Sequence, residues 1–179
     1  MSNIFLSSDL HLSHSNILTF TRSDNGEKLR DFASIEEHDQ FIIDQHNKVV
    51  KPGDRWYCLG DLTFHNKYMH LVGYMNGRKV LIKGNHDVLK LAQYVPYFDD
   101  IRACHVLDKM FLTHIPIHSD SLSRWVCNVH GHLHSNRVMS SVSGTYDERY
   151  QSVCMEQLDN YTPISLEQLK ARIKNLGLI

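Results

Sequence analysis

Short apolar runs, each released into a polar turn rich in histidine, set the pattern of this chain. Ile4-Phe5-Leu6-Ser7, Trp56-Tyr57-Cys58-Leu59 and Lys79-Val80-Leu81-Ile82 each have the length and composition of a strand. Residues 12 to 33 carry no strong periodicity, and Ser23-Asp24-Asn25-Gly26 marks a turn among them. Ser34 then opens a helix. Glu37 stands three residues on as the second half of a capping box, and Ile35, Phe41, Ile42 and Val49 roughly keep the helical period. Pro52-Gly53-Asp54 ends that helix, and shorter helical stretches are expected over residues 66–74 and up to Tyr94.

Two strands near 101–107 and 110–113 are expected to pair antiparallel about Asp108-Lys109. Residues 126–129 form another, and a last strand over 150–158 precedes a terminal helix capped by Ser165 and Gln168. Strands alternating with helices early, and mostly strands later, imply a mixed rather than purely parallel arrangement. The expectation is one α/β domain spanning residues 1–179, with two sheets in the middle and helices outside.

The chemistry sits in the turns. Asp9-Leu10-His11, Gly60-Asp61, Gly84-Asn85-His86-Asp87, Thr113-His114 and Gly131-His132-Leu133-His134 each follow a strand-like run, and so would emerge at strand ends. Side chains at i and i+2 of an extended segment share a face, so Asp9 and His11 can address one ion, and His132 and His134 neighbouring positions. The glycines before Asp61, Asn85 and His132 allow a tight exit and a close backbone approach. Mixed oxygen and imidazole donors suit Mn, Fe, Zn, Co or Ni, and the clusters lack the cysteines of a structural zinc site. A centre for two divalent ions with hydrolytic chemistry is the leading expectation.

Composition narrows the rest. The chain has 179 residues, enough for one substantial core. Its 19 basic and 20 acidic side chains give a net charge of −1 with no basic block, which argues against duplex nucleic acid or an anionic membrane as partner. Thirteen histidines are the outlier. The four cysteines stand singly in apolar stretches and read as reduced, buried thiols. The N-terminal run shows neither a basic leader nor a long apolar stretch, so a cytoplasmic protein is expected, in a host cytoplasm if the source is viral.

The ordered set D-x-H, G-D, G-N-H-D, H and G-H-x-H, over residues 9 to 134, resembles the calcineurin-like metallophosphoesterase family. The stretches from Asp9 to Leu18 and from Ile35 to Asp61 resemble its small bacterial and bacteriophage members. The resemblance implies a four-layer α/β/β/α fold. It implies Asp9, His11, Asp61 and His134 on one metal, and Asp61, Asn85, His114 and His132 on the other, with Asp61 bridging. It also implies His86 as the catalytic histidine near the leaving group, and adjacent Asp87 is the candidate to orient it. The expected activity is hydrolysis of a phosphodiester or small nucleotide-like phosphate ester by a bridging hydroxide, with Mn favoured for activity. The sequence lacks the Asp-Arg-Gly stretch that follows G-D in the family's protein phosphatases, which disfavours phosphoprotein.

Other histidines are ordinary until shown otherwise: His38, His46, His65, His70 and His105 are expected to do nothing catalytic. His14, His118 and His130 lie beside motifs and are candidates to line the pocket, as are Arg30 and Arg137 to clamp phosphate. Two competitors remain. A nuclease for single strands or ends would need a basic groove and stacking aromatics, drawn from Trp56, Tyr57, Tyr94, Tyr97, Phe98 and Trp125. A non-catalytic binding module would not need His86 or a full ligand set.

Overall fold

The computed structural model describes residues 2–179; Met1, where the N-terminal reading began, lies outside the described residues. In chain order the elements are β1 (Ile4–Ser7), α1 (Ile35–Val49), β2 (Arg55–Cys58), α2 (His70–Gly73), β3 (Arg78–Ile82), α3 (Leu91–Tyr94) and β4 (Asp100–Arg102). There follow β5 (His105–Leu107), β6 (Met110–Leu112), β7 (Cys127–His130), β8 (Tyr150–Ser152), β9 (Ile164–Ser165) and α4 (Leu166–Asn175).

Two mixed sheets result. One has the order β4-β3-β2-β1-β9, parallel except for β9, which runs antiparallel to β1. The other has the order β5-β6-β7-β8, with only β5 antiparallel to its neighbour.

Strand alternation gives the first sheet two different faces. Phe5, Trp56, Cys58 and Leu81 join one core, with Ile42 and Ile43 of α1, Val72 of α2 and Tyr94 of α3. Leu6, Tyr57, Val80 and Ile82 join another, with Met110 and Leu112 of β6, Cys127 and Val129 of β7, and Leu169 and Ile173 of α4. The chain is thus α/β with two mixed sheets sharing one core and helices on a second. Helix α1 starts at Ser34, whose side chain accepts from Glu37 N; the Glu37 carboxylate reaches back to Ala33 N rather than to Ser34. The cap on α4 is a full box between Ser165 and Gln168.

Two expected strands are cut short. The run 101–107 is divided between sheets: β4 stays on β3, and after Ala103-Cys104 the chain enters the other sheet as β5. Cys104 at that crossover is exposed, unlike the buried Cys58, Cys127 and Cys154, which corrects the reading of four buried thiols. The run 150–158 keeps strand pairing only through Ser152. Beyond it Ser8 and Cys154 form an isolated bridge and Met155 N donates to Ser8 O, so the chain turns under the first motif instead of extending. The Asp108-Lys109 turn is as expected, with both residues at positive φ.

Candidate metal centre

The parallel strands β1, β2 and β3 end side by side, so their loops converge. Asp9 N donates to Gly60 O, His11 N to Asp61 O and Leu12 N to Leu62 O, which sews the first two motifs together. Five of the candidate ligands adopt left-handed backbone: Asp9, His11, Asp61, His132 and His134 have φ of 60°, 49°, 57°, 72° and 52°. Such conformations cost free energy in non-glycine residues and concentrate where geometry serves a site.

Glycine makes the approach possible. A Cβ on Gly84 would stand 2.1 Å from Asp61 Oδ1, and one on Gly131 would stand 2.5 Å from Asp9 Oδ2. Gly60 has φ +99°, and its Cβ would meet Gly84 N at 2.5 Å.

Around these turns the donor atoms gather. Asp9 Oδ1 lies 3.8 Å from His11 Nε2 and 3.9 Å from His134 Nε2. Asp61 Oδ2 lies 3.8 Å from His11 Nε2 and 3.3 Å from His114 Nε2, and Asn85 Oδ1 lies 2.9 Å from the same His114 atom. The His132 ring sits edge-on to His114 at 5.2 Å, and its backbone N–H binds Asp9 Oδ2. Two sets of donors can therefore each close on one ion: Asp9, His11 and His134, and Asp9, Asp61 and His114. Both carboxylates, and not Asp61 alone, stand between the imidazoles.

A cation fits this arrangement on its own terms. Asp9 Oδ1 and His11 Nε2 are buried and find no hydrogen-bond partner among the described residues, an arrangement folded proteins avoid. Two donors each about 2.0–2.2 Å from one ion stand up to about 4.3 Å apart, so separations of 3.8 and 3.9 Å allow a shared ion. Two outer contacts orient the rings: His114 Nδ1 lies 2.6 Å from Leu59 O, and His134 Nδ1 lies 3.0 Å from Glu156 Oε1. With Nδ1–H donating in each, Nε2 turns a lone pair inward.

Charge follows the same logic. Burial opposes ionisation of Asp9, but the facing His11 and the charges of His114 and His134 outweigh it and hold the carboxyl well below its usual range. Burial also opposes charge on His114 and His134, while Asp61 and Glu156 respectively overcome it and raise both. A proton takes the place there that a divalent ion would compete for.

Three known proteins are similar to this chain in fold or in sequence. No family model matches it. A crystal structure titled as the protein of unknown function AQ665 from Aquifex aeolicus superposes with a TM-score of 0.68, covering 96% of this chain and 99% of that one at 24% identity, which speaks for the fold alone. The gene 66 protein of Mycobacterium phage L5 is 33% identical over 93 residues, 49% of this chain and 41% of the phage protein. The uncharacterized protein MJ1445 of Methanocaldococcus jannaschii is 30% identical over 177 residues, covering 93% of this chain and 89% of MJ1445. The chain belongs to the MJ1445 family.

In this MJ1445-family chain, the structure brings together Asp9, His11, Asp61, Asn85, His114, His132 and His134, with His86 beside them. His86 is exposed; its N–H donates to Asp61 Oδ1, and its ring lies 4.7 Å from Phe64.

Asp87 corrects an expectation. Its Oδ2 accepts from Asp61 N and Gly84 N and its Oδ1 from Leu62 N, so the carboxylate is consumed by backbone and does not orient His86. Burial pushes its carboxyl up.

Arg30 is a second correction. It is fully buried and donates to the carbonyls of Asp9 and Leu10 and to Glu156, with His38 Nε2 as a further acceptor, leaving nothing for phosphate.

Arg137 pairs with half-buried Glu148 and lies over Tyr146. His118 is exposed and caps Asp120 N, and His130 is buried with Nδ1 on Gly131 O. None of these three is hydrogen-bonded to a donor side chain of the cluster. His14, half-buried, does stand at the rim, 6.0 Å from His11 and 4.4 Å from Phe64. Of the aromatics considered for base stacking, Trp56, Tyr57, Tyr94 and Phe98 are core residues.

Glu156 is what the sequence reading missed. It lies under the site, bonded to both His134 and Arg30. The available signal was a lone acid after the apolar Val153-Cys154-Met155, since a buried carboxylate demands partners.

Proposed function

We propose that this chain is a metal-dependent phosphohydrolase of the calcineurin-like metallophosphoesterase type, its sheets and helices forming a four-layer α/β/β/α sandwich. The observation that carries the reading is the pair of buried, partnerless donors, Asp9 Oδ1 and His11 Nε2, facing one another beside Asp61, His114 and His134. Two divalent ions, with Mn favoured among Mn, Fe, Zn, Ni and Co, would supply an acidified water as nucleophile and neutralise phosphate oxygens.

The chain's own residues do the rest. Asp9, His11 and His134 would hold one ion, and Asp61, Asn85, His114 and His132 the other, with Asp9 and Asp61 facing both. Glu156 and the Leu59 carbonyl keep the Nε2 atoms of His134 and His114 aimed inward. His86, exposed and tied through its backbone N–H to Asp61, would deliver a proton from its imidazole to the departing oxygen. The substrate class is a phosphodiester or small nucleotide-like ester. Buried free thiols suit a reducing cytoplasm, and no helix among the described residues is long and apolar enough to cross a membrane.

The test is hydrolysis of bis-p-nitrophenyl phosphate and p-nitrophenyl phosphate with Mn²⁺ and after chelation. Wild type, His86→Ala and Asp61→Asn are compared, with bound metal counted for each. Chelator-sensitive turnover that falls in His86→Ala with both ions retained, and falls together with ion content in Asp61→Asn, supports the reading. Two bound ions and no turnover on any ester would move it to a binding module.

A further inference from the structure

We propose that the site prefers phosphate esters whose leaving group is a planar aromatic ring, seated along Phe64, His14 and Phe20. The proposal rests on the phosphohydrolase reading above and narrows its substrate class.

The three rings form a continuous wall that begins at His86. Phe64 lies 4.7 Å from the His86 ring, His14 lies 4.4 Å from Phe64, and Phe20 lies 6.0 Å from His14. Burial falls outward along it: His11, behind Phe64, is buried, whereas Phe20 leaves 46% of its surface in solvent. An apolar ring held in water beside a polar cluster gains when another flat ring covers it.

Phe20 is not on a loose tip. Leu29 N donates to Phe20 O, Thr21 bridges Lys28, and Ser23 Oγ bonds Asn136 Oδ1 two residues past His134. The segment thus frames the donor cluster from one side. Its cations are already paired, Arg22 to Asp24 and Lys28 to Asp31 within the segment and Arg30 to Glu156 beneath it. Recognition on this side is therefore by ring faces rather than by charge. Because the wall starts at the candidate proton donor, it faces the group that departs, not the group that stays.

The experiment measures kcat/KM with Mn²⁺ on three esters of whichever type, mono- or diester, the wild type cleaves. Their leaving groups are p-nitrophenol, the 5′-hydroxyl of thymidine, and trifluoroethanol. Phe20→Ala and Phe64→Leu are compared with wild type on each, so intrinsic leaving-group reactivity cancels in the variant-to-wild-type ratio. Base–aromatic stacking predicts that each variant lowers the aromatic-to-trifluoroethyl preference by about fivefold or more. A loss shared by both aromatic esters assigns the wall to any planar ring, and one confined to thymidine or to nitrophenol assigns it to a nucleobase or to a simple aryl group. Equal losses on all three esters overturn the aromatic seat while leaving the phosphohydrolase intact. Wild type that cleaves none of them while binding Mn²⁺ overturns both.

Discussion

Glu156 accepts a hydrogen bond from His134 at 3.0 Å with the same oxygen that ion-pairs with the buried Arg30 at 2.9 Å. Behind Arg30 the relay continues through His38 to Asp39, which receives the N–H and hydroxyl of Ser13. One acid thereby links the last ligand motif to the segment that follows the first. Arg30 and His134 outweigh the cost of burial and hold the Glu156 carboxyl down at about 2.

Glu156→Gln keeps the volume but removes the charge shared by Arg30 and His134. Losing such an outer partner is expected to weaken Mn²⁺ binding about 10- to 100-fold. Breaking the buried pair should also cost about 3–5 kcal/mol of stability. Calorimetric titration with Mn²⁺ and urea unfolding separate the two effects. Lower stability with unchanged Mn²⁺ affinity would show that Glu156 supports the fold and not the centre.

His46 gives an acid-sensitive element remote from the ligands. Burial against Trp56 lowers its pKa from 6.5 to about 4, while Nε2–H donates to Asn76 O. The unfolded chain therefore takes up this proton first as pH falls. The stability is complete above pH 6.5 and declines as pH drops toward 4, by up to about 3 kcal/mol. His46→Gln should flatten that part of the urea-midpoint profile, and a profile as steep as that of wild type would clear His46 of the effect.

Asp87 and His86 are neighbours with separable duties. Asp87→Ala leaves the N–H groups of Asp61, Leu62 and Gly84 without their acceptor and should cost about 2–4 kcal/mol in chemical unfolding. His86→Ala, at an exposed position, is expected to stay within about 0.5 kcal/mol of wild type. Equal stability of the two variants would return Asp87 to the role of orienting His86.

Gly84→Ala tests the close approach of the second and third motifs. The new methyl falls 2.1 Å from Asp61 Oδ1 and must displace that carboxylate. Mn²⁺ affinity should drop at least tenfold, about 1.4 kcal/mol, whereas Gly53→Ala, where nothing lies within 4 Å, should leave it unchanged. Metal titration of the two variants decides it.

The sequence made the donor cluster legible because its residues punctuate strand ends, and strand ends are what short apolar runs reveal best. Ser34 and Ser165 marked their helices for the same local reason: a cap is read within four residues. What stayed hidden depended on distant partners. Arg30 resembles a phosphate clamp until Glu156, 126 positions away, is seen to claim it. Asp87 resembles a histidine's partner until three backbone N–H groups, one from its own turn and two from the Gly60-Asp61 turn, are seen on its oxygens. The division of residues 101–107 between two sheets was equally illegible, because a three-residue strand carries too little alternation to declare which neighbour it joins.

The left-handed turns at Asp9, His11 and Asp61 have a further consequence. They are riveted across two strand ends by Asp9 N–Gly60 O, His11 N–Asp61 O and Leu12 N–Leu62 O, so their carboxylates and imidazole have little freedom to spread. A cation entering between them would find its donors already in place, with little ordering of the chain left to do.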